Sequence, residues 1–489
     1  MPRIKQLLAW VLLLALVVGA GALILRPGPR DALRAADRLF LDGSYYAALR
    51  AYQQIDPREL PEAALRLGMV RAIRGEHGPA ERALRTAMQG GLRPADYQVA
   101  LIYLGQVLAD GGSADLALRT WALADDCRSP DACAYRGPAR ALAAELALRK
   151  GDYVAAEAGY VAALGDPLRE GWADLAAYRL ALLRAARDPA AAIAAIGRAA
   201  PGADMIAEPL LAPLLPADTG WRAELAAALT ADAESRPQRL GQIYLSQGLY
   251  DLAEIQFAQV RPESPSARAA AVYAAYARWM SGDRTTGLAQ LEQIVKNRPD
   301  DPQARMLLAL AYLSTDASDA ALAQIDVLAR LIPGTPDIHL ALASWQAARH
   351  EYPQASQEYS LAIAQSGDPR RRGRAALLGA QFHLATAYDL CAGGLPLAEA
   401  AVAALPDDSV AWTTLAAHQY YCGQVDKAAA SAQHAVDSGG DAESAYYLGA
   451  SLAALGQQDR ARRELIRAAD MAPASAWRER AEKALALMP

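Results

Sequence analysis

At 489 residues the chain is long for one hydrophobic core, yet its composition does not shift after residue 30, and a linear array of small units accounts for both. Hydrophobic residues make up 53% but aromatics only 7%. The apolar excess is Ala and Leu, which lose least on entering a helix, and the period-two runs of Val, Ile and Thr that mark strands are missing, so the expected fold is all-α with no sheet. The net charge of -5 comes with basic residues spread rather than gathered in a stripe, which argues against a nucleic-acid partner.

The chain opens on an apolar run of 19 residues from Leu7 to Leu25. As a helix it would be about 28 Å long, matching a hydrocarbon core of about 30 Å. Arg3 and Lys5 precede it; Arg26, Pro27 and Arg30 close it. Residues 1–28 are therefore read as one N-terminal transmembrane anchor, with a secretory signal cut at Ala20-Gly21-Ala22 as the alternative. The run is longer than a usual signal core and continues past that cut, which favours the anchor. No Cys stands near its end, which excludes lipid attachment there.

Orientation is argued from two sides. Arg26, Arg30, Arg34 and Arg38 outnumber Arg3 and Lys5, and the positive-inside rule alone would keep the rest of the chain in the cytoplasm; long domains, however, are often translocated despite such charges. The cysteines point outward. Cys127 and Cys133 flank a short segment between helices, and Cys391 and Cys422 fall near first-helix ends of neighbouring repeats. Both pairs are candidate disulfides, the alternative being that each Cys is a small buried apolar residue. The expectation is a single-pass membrane protein with its repeats outside the cytoplasm, the cytoplasmic orientation staying open.

Beyond the anchor a period dominates. Pro265, Pro299 and Pro333 stand 34 residues apart, as do Gly248, Gly282, Asp316 and His350. A repeat of this length with small residues at fixed offsets marks helical hairpins that bury their apolar faces against neighbours. Gly or Ala at the eighth position of a first helix lets the second approach closely, and Ala253, Phe257 and Val260 fall on one helical face. The prolines end second helices.

These residues give the chain its resemblance to the tetratricopeptide-repeat (TPR) family, whose pattern runs Trp, Leu-Gly and Tyr on a first helix, then Ala, an aromatic, Ala and Pro on a second. Trp412, Leu415, Ala416, Ala428 and Ala435 follow it in order, as do Gly241, Tyr244, Ala253, Phe257 and Pro265, and Leu448, Gly449, Ala461, Leu465, Ala468 and Pro473. The resemblance implies an α-solenoid. Units begin near residues 29, 61, 98, 137 and 169, then near 234, 268, 302, 336, 375, 409 and 442, about twelve hairpins. The fifth is stretched, and the tenth carries Gly393, Gly394 and Pro396 where a hairpin turn belongs. Residues 200–233, with Pro201, Gly202, Pro209, Pro213, Pro216 and Gly220 before a short helix from Trp221, read as a joint between an N-terminal array (29–199) and a C-terminal one (234–473). Residues 474–489 suit a closing cap helix.

No enzyme chemistry is legible. The six His form no His-Glu-x-x-His pattern, there is no Cys-x-x-Cys pair, and no Gly-rich phosphate loop occurs. His418 and Cys422 share a face at i, i+4, but no further ligands complete a metal site, and helix packing is the preferred reading. No cofactor and no metal are expected. An anchor followed by repeats is similar to bacterial membrane-anchored repeat proteins of lipopolysaccharide assembly, whose four-Cys metal module has no counterpart here.

In the TPR family first helices line a concave face, with positions 2, 5, 9 and 12 projecting into it. By that register the resemblance assigns Val272, Tyr276 and Trp279 to the face, then Met306 and Leu310, then Thr413 and Tyr420, with Tyr273, Met280 and Tyr421 beside them. Tyr, Trp and Met are enriched in binding surfaces, which implies a groove for an amphipathic helix or extended peptide. The alternative is that an aromatic stripe at helical spacing packs against the next repeat. Arg370, Arg371, Arg372 and Arg374 lie in a surplus before the tenth unit, read as a solvated loop or as a grip for phosphate or an acidic partner. The expected function is a membrane-tethered scaffold that recruits protein partners, with assembly or export of an envelope polymer as the alternative.

Overall fold

The structure, a computed structural model, describes residues 28–127, 133–166, 170–197, 208–211, 214, 221–315 and 317–488. Among the described residues there is no strand, and helices follow one another as antiparallel pairs. No described helix is long and apolar enough to cross a membrane; the run from Leu7 to Leu25, its flanking charges and the alternative cleavage site lie outside the described residues, as does Asp316. The chain falls into two compact units, residues 1–139 and 140–489.

The first unit holds three hairpins: Pro29–Leu41 with Tyr45–Gln53, Pro61–Ile73 with His77–Gln89, and Pro94–Asp110 with Ala114–Ala122. Each first helix begins on a proline, whose missing N–H has no partner there anyway and whose fixed φ suits the first turn. Gly105 shows why a small residue holds the eighth position: a Cβ there would fall 2.2 Å from the indole nitrogen of Trp121, which instead lies flat against the first helix and donates to the Ile102 carbonyl at 3.1 Å. Arg66 lies between Asp37 (3.4 Å) and Asp96 (3.6 Å), one carboxylate from each adjoining hairpin. Cys127 and Cys133 are joined in a disulfide.

The second unit continues with a fourth hairpin, whose first helix, Arg136–Arg149, starts four residues before the boundary and pairs with Tyr153–Leu164, and a fifth, Glu170–Ala185 with Pro189–Ile196. After the helix Trp221–Thr230 come the sixth (Arg236–Ser246, Tyr250–Ala258), seventh (Ala267–Met280, Arg284–Asn297), eighth (Pro302–Leu313, Ser318–Leu331) and ninth (Pro336–Ala348, Tyr352–Gln365). The tenth pairs Pro369–Thr386 with Leu395–Ala404, the eleventh Ser409–Tyr421 with Val425–Asp437, and the twelfth Ala442–Ala454 with Gln458–Met471; the helix Ala476–Leu487 follows. Aspartates accept the free N–H groups of many first turns, Asp283 from Thr286, Asp301 from Ala304 and Asp408 from Val410 and Ala411.

The joint expected over 200–233 does not interrupt the core. One apolar cluster runs from Ala144 to Ala277 and takes in Leu225, Ala228 and Leu229 of the short helix, while Tyr244 donates across it to the Leu182 carbonyl at 2.6 Å. The residues that suggested a break, Pro201, Gly202, Pro213, Pro216 and Gly220, lie outside the described residues.

Candidate binding groove

The tenth hairpin departs from the others in a way that shapes its surroundings. Its first helix is 18 residues long, and its turn is followed by a five-residue π-helical stretch, Leu390–Gly394. Ala387 (φ 53°) and Asp389 (φ 44°) take left-handed conformations that cost a side-chain-bearing residue energy, so this turn is held by what surrounds it. Three fastenings do so. Cys391 is disulfide-bonded to Cys422 at the end of the next first helix. His383 Nδ1 lies 2.5 Å from the Tyr388 carbonyl oxygen. His418, fully buried, places Nδ1 3.0 Å from the Leu390 carbonyl oxygen and Nε2 3.0 Å from that of Ala380.

Burial holds the His418 pKa below its ordinary value, against the two carbonyls, which favour the proton. The glycine pair makes room for both imidazoles. A Cβ at Gly394 would sit 2.3 Å from His418 Cε1, and one at Gly393 2.9 Å from His383 Cε1. His418 and Cys422 are thus occupied by backbone and disulfide, and among the described residues no group of three or more His, Cys, Asp or Glu could hold a metal ion.

Beside this pinned turn lies a groove of 660 Å³. Leu384, Ala385, Ala387 and Leu390 form one wall, Val410, Thr413, Thr414 and Tyr421 the next, and Asp441, Glu443, Tyr447, Trp477 and Arg480 the far side. The rings belong to a larger cluster: Tyr421 meets Tyr447 at 6.1 Å between centroids, Tyr447 meets Trp477 at 5.7 Å, and Tyr420 and Tyr446 pack behind. Arg480 lies over Trp477 at 4.5 Å from its ring centroid. Burial, then a hydrogen bond with Tyr421, pushes the Tyr447 phenol up, so it stays neutral. Burial also raises Glu443 to about 7, with Asp441 adding to the rise and Arg480 opposing it.

Of the residues assigned to a concave face, Thr413 and Tyr421 line this groove and Tyr420 packs behind it. The seventh-hairpin set is differently placed. Val272 is fully buried and Trp279 is 8% exposed in a core with Leu291, Leu308 and Ala311; Tyr276 stacks on Trp279 at 5.8 Å and Tyr273 on Phe257 at 5.5 Å. Val272 therefore presents nothing to a partner, because the second helix and the next repeat cover it. Met306 packs on the core around Ile325 and Trp345, and Leu310 is exposed alone. Met280 borders a second, polar hollow of 400 Å³ whose side chains largely satisfy each other, Glu145 accepting from Tyr160 (2.6 Å) and Arg179 (2.8 Å) and Asp251 from Tyr153 (3.3 Å).

Arg370, Arg371, Arg372 and Arg374 are not in a loop. They lie exposed on the first two turns of Pro369–Thr386, capped by Asp368, because Pro369 supplies a helix start and Asp368 accepts from the Arg371 N–H. Arg372 donates to the Ser366 carbonyl at 3.0 Å.

Sequence reading missed Glu443, Tyr447, Trp477 and Arg480. A signal was present, since the doublets Tyr420-Tyr421 and Tyr446-Tyr447 and then Trp477 crowd the last units. No family model matches the chain, and no curated protein matches it. Solved structures similar to it include YrrB, described as a TPR protein with an unusual peptide-binding site (18% identity, 40% of this chain and 98% of that one, TM-score 0.32). PilW, a type IV pilus biogenesis factor, is 17% identical over 45% of this chain and 100% of its own, with a TM-score of 0.37. Yeast Tom70 is 12% identical over 88% and 96%, with a TM-score of 0.36.

Proposed function

We propose that this chain is a non-enzymatic, membrane-tethered scaffold that captures a segment of a protein partner in the groove of its last three hairpins. The groove carries the reading. It combines an aliphatic wall with accessible rings and a few polar groups, the mixture that binds peptides, and a strained turn fastened by a disulfide and two buried histidines keeps it open before any partner arrives. The tether is the apolar run from Leu7 to Leu25, and two disulfides favour repeats held outside the cytoplasm.

The envelope-polymer reading keeps one observation in its favour: Tyr421 and Trp477 beside Asp441 could stack on and hydrogen-bond to sugar rings. The continuous wall of Leu384, Ala385, Ala387 and Leu390 favours a peptide. A photo-crosslinking amino acid at Tyr421 in the full chain, activated in its native membrane, tests the two. A crosslinked polypeptide that disappears on Trp477→Ala supports the scaffold; adducts made only of glycan would replace it with the polymer reading.

A further inference from the structure

We propose that the groove selects a partner segment bearing a basic side chain, a lysine ammonium or arginine guanidinium, seated between the Glu443 carboxylate and the exposed ring of Tyr421. The inference rests on the peptide reading above and adds the chemistry of the residue recognised. The groove holds Asp441 and Glu443 against a single cation, Arg480. The Arg480 guanidinium lies over the Trp477 ring and acts on Glu443 through its charge, with no hydrogen bond between them. Asp441 is engaged in capping, its carboxylate accepting from the Glu443 and Ser444 N–H groups at 3.0 and 3.2 Å. Glu443 is the carboxylate left without a hydrogen-bond donor in the groove, half-buried among the residues that line it.

A half-buried carboxylate with no protein donor is partly stripped of water when ionised, and a cation brought to it relieves that cost while gaining attraction from the aromatic face of Tyr421. An acidic or purely apolar segment would leave the carboxylate as it is. Trp477 is already covered on one side by Arg480 and Tyr447 is only 3% exposed, so the face offered to the incoming charge is chiefly that of Tyr421, which is 51% exposed.

A proton linkage follows. The groups facing Glu443 are Asp441 from its own helix cap, Arg480 from the closing helix, and the neutral phenols of Tyr421 and Tyr447. With the free carboxylate titrating near 7, a bound cation draws its pKa down, so binding at pH 7 releases roughly half a proton and affinity rises about tenfold from pH 6 to pH 8.

The experiment pans a displayed library of random peptides against the full chain in detergent, then titrates the enriched peptide calorimetrically in buffers of different ionisation enthalpy. The expected result is enrichment of a Lys or Arg flanked by apolar residues, proton release near neutrality, and a loss of roughly tenfold or more for Glu443→Gln, which keeps the shape of the side chain. Enriched peptides without a basic residue, or binding to Glu443→Gln unchanged and independent of pH, overturn the inference while leaving the peptide groove standing. Peptides that bind Tyr421→Ala as well as the parent chain, or no enrichment at all, overturn the groove itself.

Discussion

Tyr276 with Trp279 on the seventh hairpin, and Tyr421 with Tyr447 and Trp477 at the end of the chain, are two aromatic runs of the same sequence type. The first is packed: Gly287 lets the second helix lie against the Trp279 backbone, and the eighth hairpin arrives in register to cover it with Leu308 and Ala311. Around the second, the tenth hairpin overshoots and its turn stands as a wall, while the helix Ala476–Leu487 adds Trp477 and Arg480. An aromatic stripe on a solenoid becomes core or groove according to whether the following repeat keeps register.

The sharpest way to break that comparison is to truncate one ring from each run. Trp279→Ala should cost about 3–5 kcal/mol of stability, the usual loss for a buried tryptophan, and lower the thermal midpoint. Tyr421→Ala, at a residue 51% exposed, should change stability by about 0.5 kcal/mol or less while weakening partner capture roughly tenfold or more. Thermal unfolding and a binding titration on the two variants decide it; equal loss of stability would mean that both runs are core.

Sequence showed one half of this contrast and hid the other. Ala at the helix crossings, Gly105 and Gly449 at eighth positions, and prolines at helix starts repeat along the chain, so hairpins are legible from pattern alone. The groove depends on residues that no period marks. Glu443 matters because Asp441 is spent on a cap and Arg480 is turned onto Trp477, and neither fact has a spacing. The resemblance also placed Val272 on a concave face by register, whereas the neighbouring helices bury it.

The two disulfides offer a second contrast. Their sequence separations are 31 for Cys391–Cys422 and 6 for Cys127–Cys133, and loop-closure entropy makes the longer one worth about 3–4 kcal/mol and the shorter about 2. Replacing Cys391 and Cys422 by Ser should therefore lower the unfolding midpoint more, and should also weaken groove binding, since it frees the wall that carries Leu390. Replacing Cys127 and Cys133 should leave binding unchanged. Differential scanning calorimetry with a peptide titration on each double variant would show whether the wall needs its fastening.

Glu443 provides a smaller, pH-dependent test. Its pKa is raised from 4.5 to about 7 in the folded chain, so between those values the folded state keeps a proton that the unfolded state releases. Stability should fall as pH rises through that window and level off above it. Glu443→Gln should remove this slope, a change absent from any variant of the seventh hairpin; an unchanged slope in thermal midpoints between pH 5 and pH 8 would show that another group carries it.

The smallest expected effect concerns the turn itself. In most hairpins the left-handed position of a turn is filled by glycine, as at Gly282 (φ 112°), and in the ninth by His350 (φ 60°), but in the tenth hairpin Ala387 holds it at φ 53°. That conformation costs an L-residue about 1–2 kcal/mol, and glycine would relieve it while adding about 0.5–1 kcal/mol of unfolded-chain entropy. Ala387→Gly should therefore stabilise the protein by about 0.5 kcal/mol. It also removes a methyl from the groove wall and the backbone restriction that fixes the direction of Leu390, so peptide affinity should fall while stability rises. Opposite signs in the two measurements would show that the strain serves the groove; a gain in both would mean that the turn is only a flaw in the repeat.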